Sequence, residues 1–187
     1  MVFALARPGP QTIDRYRSER LAAEPPHPST STDHAGFGTL DHRYEIGTGQ
    51  ADFETARDGL RHWQAHLGAD MEVHPSGAPL AEGETVALLT RRLGLWVLAA
   101  CRTETVIDEP TTFGFTYATL PDHPETGFES FTISLVEGRV DFAIEAVSKP
   151  EALLSRLGAP VSRIIQRQIT DGYGRSLQRH VEADRAP

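Results

Sequence analysis

Cysteine is all but missing from this chain. Cys101 is the only one in 187 residues, which excludes an intramolecular disulfide and any cysteine-rich metal centre. It stands inside an apolar run and reads as a small buried hydrophobe rather than a nucleophile. Positive charge is short as well: 18 Lys and Arg against 26 Asp and Glu leave a net charge of −8. No stripe of basic and aromatic side chains offsets that charge locally, which argues against nucleic acid or an anionic membrane surface as the natural partner. Lysine occurs once, at Lys149, and no mechanism attaches to that. Long hydrophobic runs are also lacking; the longest, Leu93 to Cys101, is about half of what a membrane span needs. The opening MVFALARPGP soon reaches Pro8 and Pro10. It is too short for the apolar part of a signal peptide and has no basic segment before it, which predicts a cytoplasmic protein.

Several reaction signatures are absent too. No glycine-rich loop follows a strand, so nucleotide phosphates have no cradle. No serine sits in a glycine elbow of the hydrolase kind. None of the eight histidines belongs to a helical pair with an interposed acid. His62 and His66, four apart around Trp63 and Gln64, read as residues on a solvated helix face. Neither a metal nor a cofactor is expected.

What is present suits one globular domain. A chain of this length buries a core without staples, and its hydrophobic fraction of 39% is ordinary. Residues 1–40 read as an N-terminal extension, with a short helix over 11–22 and a loop rich in proline, glycine and hydroxyl residues after it. Residues 41–187 read as the domain proper. A strand, HRYEIGTG, leads into a helix with Phe53, Ala56, Leu60, Trp63 and Leu67 along one face and Gly68 as its stop. Six strands follow, with turns at Arg91-Arg92-Leu93-Gly94 and Glu137-Gly138. After Gly158 a long helix carries Val161, Ile165, Ile169, Tyr173 and Leu177 at spacings of four, with Pro160 in its first turn. Gly172 and Gly174 weaken it by about 1 kcal/mol each, so a kink or a close approach to the sheet is expected there.

This order predicts an α+β fold: a curved antiparallel sheet of about seven strands wrapped around a long C-terminal helix. It resembles the helix-grip architecture, START-like or birch-pollen-allergen-like, in which space between sheet and helix holds a ligand. Five segments carry a more specific resemblance: GTGQADFETARDGLRHW, CRTETVIDE, FGFTYATLPDHPETGFESFTI, AVSKP and LGAPVSRIIQRQITDGYGRSL. They resemble the domain-of-unknown-function family numbered nineteen-ninety over residues 44–180. Arg102 matches that family's arginine after the hairpin. Tyr117, Thr119, Leu120, Pro121, His123, Pro124 and Glu125 match its most recognisable loop. The chain departs where the family has glycine and two glutamates: here stand Gly127, Phe128 and Glu129, a change expected to mark a specialised substrate. The architecture implies binding of lipids or hydrophobic metabolites, or cyclisation of polyketides.

Candidate chemistry rests on polar residues set among apolar strand positions. Glu129 shares its side of a strand with Phe131 and Ile133 and should face the enclosed space, where desolvation raises a carboxyl pKa toward the range for acid–base work. The alternative is an ion pair with Arg102 that ties two strands together. Tyr117 shares a face with Phe113 and Phe115 and offers a phenol. His123 lies beside Asp122 in the loop where a cavity mouth would be, though Asp and Pro also suit a plain turn. Arg102 and Glu104 alternate with Cys101 and Thr103, so only one of these pairs can face inward. Candidate catalytic residues are thus Glu129, Tyr117, His123 and Arg102. The candidate ligand wall comprises Trp63, Glu104, Phe115, Thr119, Phe131, Phe142, Glu145, Ile165, Ile169 and Tyr173. Glu145 stands where an apolar residue would be expected.

Three functions compete. The first is a cofactor-independent enzyme that moves protons on an apolar, oxygenated metabolite during cyclisation, isomerisation or dehydration. The second is a carrier or sensor of a hydrophobic ligand. The third is an interaction module that uses the N-terminal extension. The expected partner is an apolar small molecule; a homodimer is left open.

Overall fold

The computed structural model describes residues 2–151 and 159–185. Eight antiparallel strands form one sheet: β1 Val2–Ala4, β2 Gly38–Thr48, β3 Met71–His74, β4 Thr85–Arg92, β5 Leu95–Glu109, β6 Thr112–Thr119, β7 Glu125–Val136 and β8 Arg139–Pro150. Their order is β2-β8-β7-β6-β5-β4-β3, with β1 paired on β5 off that path. The helices are α1 Pro10–Ser18, α2 Gly49–Arg61, α3 Gln64–Leu67 and α4 Ala159–Asp184.

Seven of these strands follow from the alternation of the sequence; β1 does not. The reason for β1 lies in the length of β5. Its pairing with β6 starts only at Cys101, so its first residues present an open edge. Val2, Phe3 and Ala4 pair there with Leu98, Val97 and Trp96. A three-residue apolar segment is too short to show as a strand by pattern, yet it covers an edge that would otherwise be exposed. The two hairpin turns stand where expected, with positive φ at Leu93 and Gly94 and again at Glu137 and Gly138.

The sheet is covered on both faces. On one, α2, α3 and α4 bury Phe53, Leu60, Trp63, Tyr173, Leu177 and Val181 against Phe113, Phe115, Phe131, Phe142 and Ile144. On the other, α1 packs Ile13 and Tyr16 on Ala87, Leu89, Leu98, Ala100 and Leu120. The alternation along β4 therefore sends Leu88 to one core and Leu89 to the other. Gly174 explains itself at the meeting of α4 and β2: a Cβ there would lie 2.8 Å from the Tyr44 ring. The close approach lets the Tyr44 hydroxyl donate to Asp171 at 3.1 Å.

The expected single helix over 51–68 is two helices. Trp63 adopts the left-handed conformation at φ 62, which separates α2 from α3. Its indole is buried and donates to the Ala78 carbonyl at 3.0 Å. This break shifts the helical phase and exchanges two residues. Leu67, expected on the apolar face, is 49% exposed. His66, expected in solvent, is fully buried. His62 does lie on the exposed surface.

Candidate functional site

Between the sheet and α4 lies a cavity of about 420 Å3. Its wall is largely apolar: Leu40, Met71, Leu88, Val97, Ala99, Ala146 and Ile169 line it, with Phe3, Leu93 and Leu95 also at its border. Polar groups are fewer, with Ser148 on β8 and Thr170 on α4 among them. Tyr117, Glu129 and Tyr173 form one group; His123, Pro124 and Glu125 border it from the β6–β7 loop, and Thr90 and Arg92 lie along β4.

Glu129 is positioned by the ladder. It pairs with Tyr117 on β6 and with Ala146 on β8, so all three residues point to the same face. The Tyr117 hydroxyl donates to Glu129 Oε2 at 2.7 Å. Glu129 is half-buried by surface, yet bulk water does not surround its carboxyl. Burial is thus the leading cause that pushes its pKa up to about 7, opposed by the Tyr117 hydrogen bond and aided by the charge of Glu125. The same burial, with the Glu129 charge beside it, drives the Tyr117 and Tyr173 phenols well above their ordinary value. A carboxyl that titrates near neutrality and a phenol bonded to it can give or take a proton at the wall of a largely apolar cavity.

Gly127 shapes the approach to this pair. With φ at 152 it is in a conformation that favours glycine, and a Cβ would meet the Val147 carbonyl at 1.9 Å. Its N–H donates to Thr119 Oγ1 at 3.0 Å. Thr119 thus borders the cavity with its hydroxyl oxygen already accepting from the β6–β7 corner. His123 is anchored in the loop through Nδ1, 2.8 Å from the Glu125 carbonyl and 3.1 Å from its N–H. Burial lowers its pKa to about 4, so the imidazole at the cavity wall is neutral at physiological pH.

The structure brings Glu129, Tyr117, His123, Thr119, Ile169 and Tyr173 together around the cavity. Ile165 lies outside the residues whose side chains are described. Trp63, Phe115, Phe131 and Phe142 do not border it; they form the packed layer beneath, with Phe115 and Phe131 stacked at 5.0 Å between centroids. Arg102 corrects the expectation more sharply. Cys101 and Thr103 take the inward positions, both fully buried. Arg102 is turned to the other face, where it donates to the carbonyls of Arg20 at 3.2 Å and Leu21 at 2.7 Å and to Thr85 Oγ1. It holds the chain after α1, and the ion pair with Glu129 is not formed. Glu104 faces away as well and accepts from the Ser29 N–H at 2.6 Å. Glu145 is exposed, because it alternates with Ile144 and Ala146. Phe128, expected to mark a special substrate, borders the cavity, but its ring packs near His27 and His34 of the N-terminal segment, at 6.2 and 6.0 Å.

Two features were missed by sequence reasoning. The cavity wall on β4, formed by Leu88, Thr90 and Arg92, carries a period-two signal. It is masked because the neighbouring residues are apolar too and feed the second core. His66 is the other. Both its ring nitrogens lack a partner among the described residues. It is enclosed by Tyr173 at 4.7 Å, Phe131 at 5.0 Å and Trp63 at 5.1 Å between ring centroids. Burial lowers its pKa to about 3. Among the described residues, no group of three or more His, Cys, Asp or Glu could hold a metal ion, and no helix is long and apolar enough to cross a membrane.

The chain matches the model of a domain of unknown function, DUF1990, over residues 22–176. A UPF0548 protein of Deinococcus radiodurans is 30% identical over 198 residues, covering 95% of this chain and 98% of the relative. A UPF0548 protein of Dictyostelium discoideum is 31% identical, covering 78% and 74%. Among solved structures, Ara h 8.0201 superposes with a TM-score of 0.52 at 13% identity, covering 79% of this chain and 99% of that one. The di-domain ARO/CYC StfQ of the steffimycin biosynthetic pathway gives 0.56 at 10% identity, covering 79% of this chain and 51% of StfQ. These likenesses establish the START-like, birch-pollen-allergen-like fold.

Proposed function

This chain belongs to the DUF1990 family, and we propose that it binds an apolar, oxygenated small molecule in the cavity between sheet and α4 and performs a cofactor-independent acid–base reaction on it. The observation that carries this reading is the Tyr117–Glu129 pair: a carboxyl with a pKa pushed up to about 7, bonded to a phenol, on the wall of an otherwise apolar cavity. Near neutral pH both protonation states of Glu129 are populated. The ionised form takes a proton from a carbon or oxygen acid of the substrate; the neutral form returns it to another site. Once Glu129 has taken that proton, the single Tyr117 O–H turns from it to an oxygen on which negative charge develops. Together these steps serve cyclisation, isomerisation or dehydration. A likeness in fold to an ARO/CYC protein supports this reading as analogy only.

The second reading is a carrier or sensor. It is favoured by the bond between Tyr117 and Glu129, because two groups that satisfy each other need no substrate. One experiment separates the two. Purified wild type and Glu129→Gln are incubated with metabolites of the gene neighbourhood, and binding and conversion are both followed. The enzyme reading expects conversion by wild type and a fall of about a hundredfold or more in the variant, with affinity little changed. Tight binding with every ligand recovered unchanged leaves a carrier.

A further inference from the structure

We infer that the cavity selects an amphipathic anion, a carboxylate joined to an apolar body, and that Arg92 is the residue that takes the carboxylate. This rests on the cavity being a ligand site, as proposed above. Arg92 lies at the end of β4 beside the turn at Leu93 and Gly94, on the cavity wall. Its guanidinium donates to two backbone carbonyls, Ala69 at 2.9 Å and Arg91 at 2.9 Å. Those bonds orient the group without neutralising it. Among the described residues no carboxylate lies within 4.0 Å of it, unlike Arg7, Arg17, Arg57 or Arg185, and of the described arginines it is the one that borders the cavity. Residues 152–166, outside that description, contain no Asp or Glu by sequence.

The surroundings define the rest of the ligand. Leu93, 71% exposed, and Phe3, Leu95 and Val97 give the cation an apolar setting. A lone guanidinium among such side chains attracts a carboxylate more strongly than one in open water does, and its fork suits two oxygens. Arg92 is also near enough to Tyr173 for its charge to act on that phenol. Arg92 and the Tyr117–Glu129 group therefore serve one cavity. An anion placed at Glu129 would meet a like charge, so the carboxylate belongs at Arg92 and the apolar, oxygenated part extends toward Glu129.

The test compares 6-phenylhexanoate with 6-phenylhexan-1-ol, equal in body and different in charge, by calorimetry on the full chain at about pH 8. Wild type should bind the acid about tenfold or more tightly than the alcohol. Arg92→Gln should abolish that preference by weakening the acid alone, with alcohol affinity held within about twofold. Arg92→Lys should keep part of it, and in wild type the preference should shrink as salt is raised. Circular dichroism verifies that each variant is folded; if Arg92→Gln is not, the lysine variant and the salt series decide. Equal binding of acid and alcohol by wild type, or a preference that survives Arg92→Gln or ignores salt, overturns the role of Arg92 and leaves the cavity reading standing. Failure of both compounds to bind overturns the cavity reading and this inference together.

Discussion

Replacing Glu129 by glutamine should stabilise the protein, and by an amount that depends on pH in a defined way. The carboxyl titrates at about 7 in the fold against 4.5 in an open chain, chiefly because burial disfavours its charge. Between those values the folded protein holds a proton that the unfolded chain has released, so stability falls as pH rises through this window. The interval corresponds to about 3 kcal/mol once both states are ionised. Glutamine keeps an acceptor for the Tyr117 hydroxyl and mimics the neutral acid. Below pH 4.5 the variant and wild type should match within about 0.5 kcal/mol; the variant should then gain and level off at up to about 3 kcal/mol by about pH 8. In melting temperature this amounts to about 6–12 °C for a chain of this size. Urea unfolding at a series of pH values measures it directly. A difference that is constant with pH, or a variant weaker than wild type at pH 8, refutes burial as the cause of the raised Glu129 pKa.

Three further outcomes are expected. His66→Leu should flatten the acid side of the stability profile: the unfolded imidazole takes a proton below 6.5 while the folded one resists until about 3, a cost of up to about 5 kcal/mol that acid unfolding in urea would detect. Gly127→Ala should cost more than about 3 kcal/mol because its Cβ meets the Val147 carbonyl, whereas Gly77→Ala, with positive φ but open space, should cost about 1 kcal/mol; equal losses in thermal melts would contradict the steric account. Arg102→Ala should cost about 1–3 kcal/mol and speed hydrogen exchange in residues 10–22, with cavity ligand affinity unchanged. A large loss of ligand affinity would return Arg102 to the site.

Much of the fold was legible because its strands alternate. Phe113, Phe115 and Tyr117, or Phe131 and Ile133, each declare a face, and the register follows from two turns with glycine at the required φ. Glu129 was legible for the same reason: a carboxylate in an apolar row. The failures share a physical cause, which is that local pattern says nothing about which of two buried faces a residue serves. In β4 both faces are buried, so Arg92 looked like a turn residue and its place on the cavity wall did not show. Arg102 sits beside the inward Cys101 and Thr103, and its real partners, the carbonyls of Arg20 and Leu21, are more than 80 residues away in sequence. His66 was lost to a single backbone event, because nothing in QAHL reveals that Trp63 takes a left-handed conformation and shifts the helical phase.

His66 and Glu129 also bear on each other through the layer of rings between helix and sheet. The layer that removes water from the carboxyl does the same to the imidazole, and Tyr117 and Tyr173 stand near both. The effects on stability run in opposite directions. As pH rises, the folded state is penalised by the ionisation of Glu129 up to about 7; as pH falls, it is penalised by the refusal of His66 to protonate from 6.5 down to about 3. Between 4.5 and 6.5 Glu129 holds one proton in excess while His66 and His123 each withhold one, so stability still rises with pH there. Across these three groups the fold is most stable near pH 6.5, where the two histidines cease to cost anything and Glu129 still holds its proton. Near neutral pH, where Glu129 is poised to exchange its proton, the fold carries part of the cost of that charge.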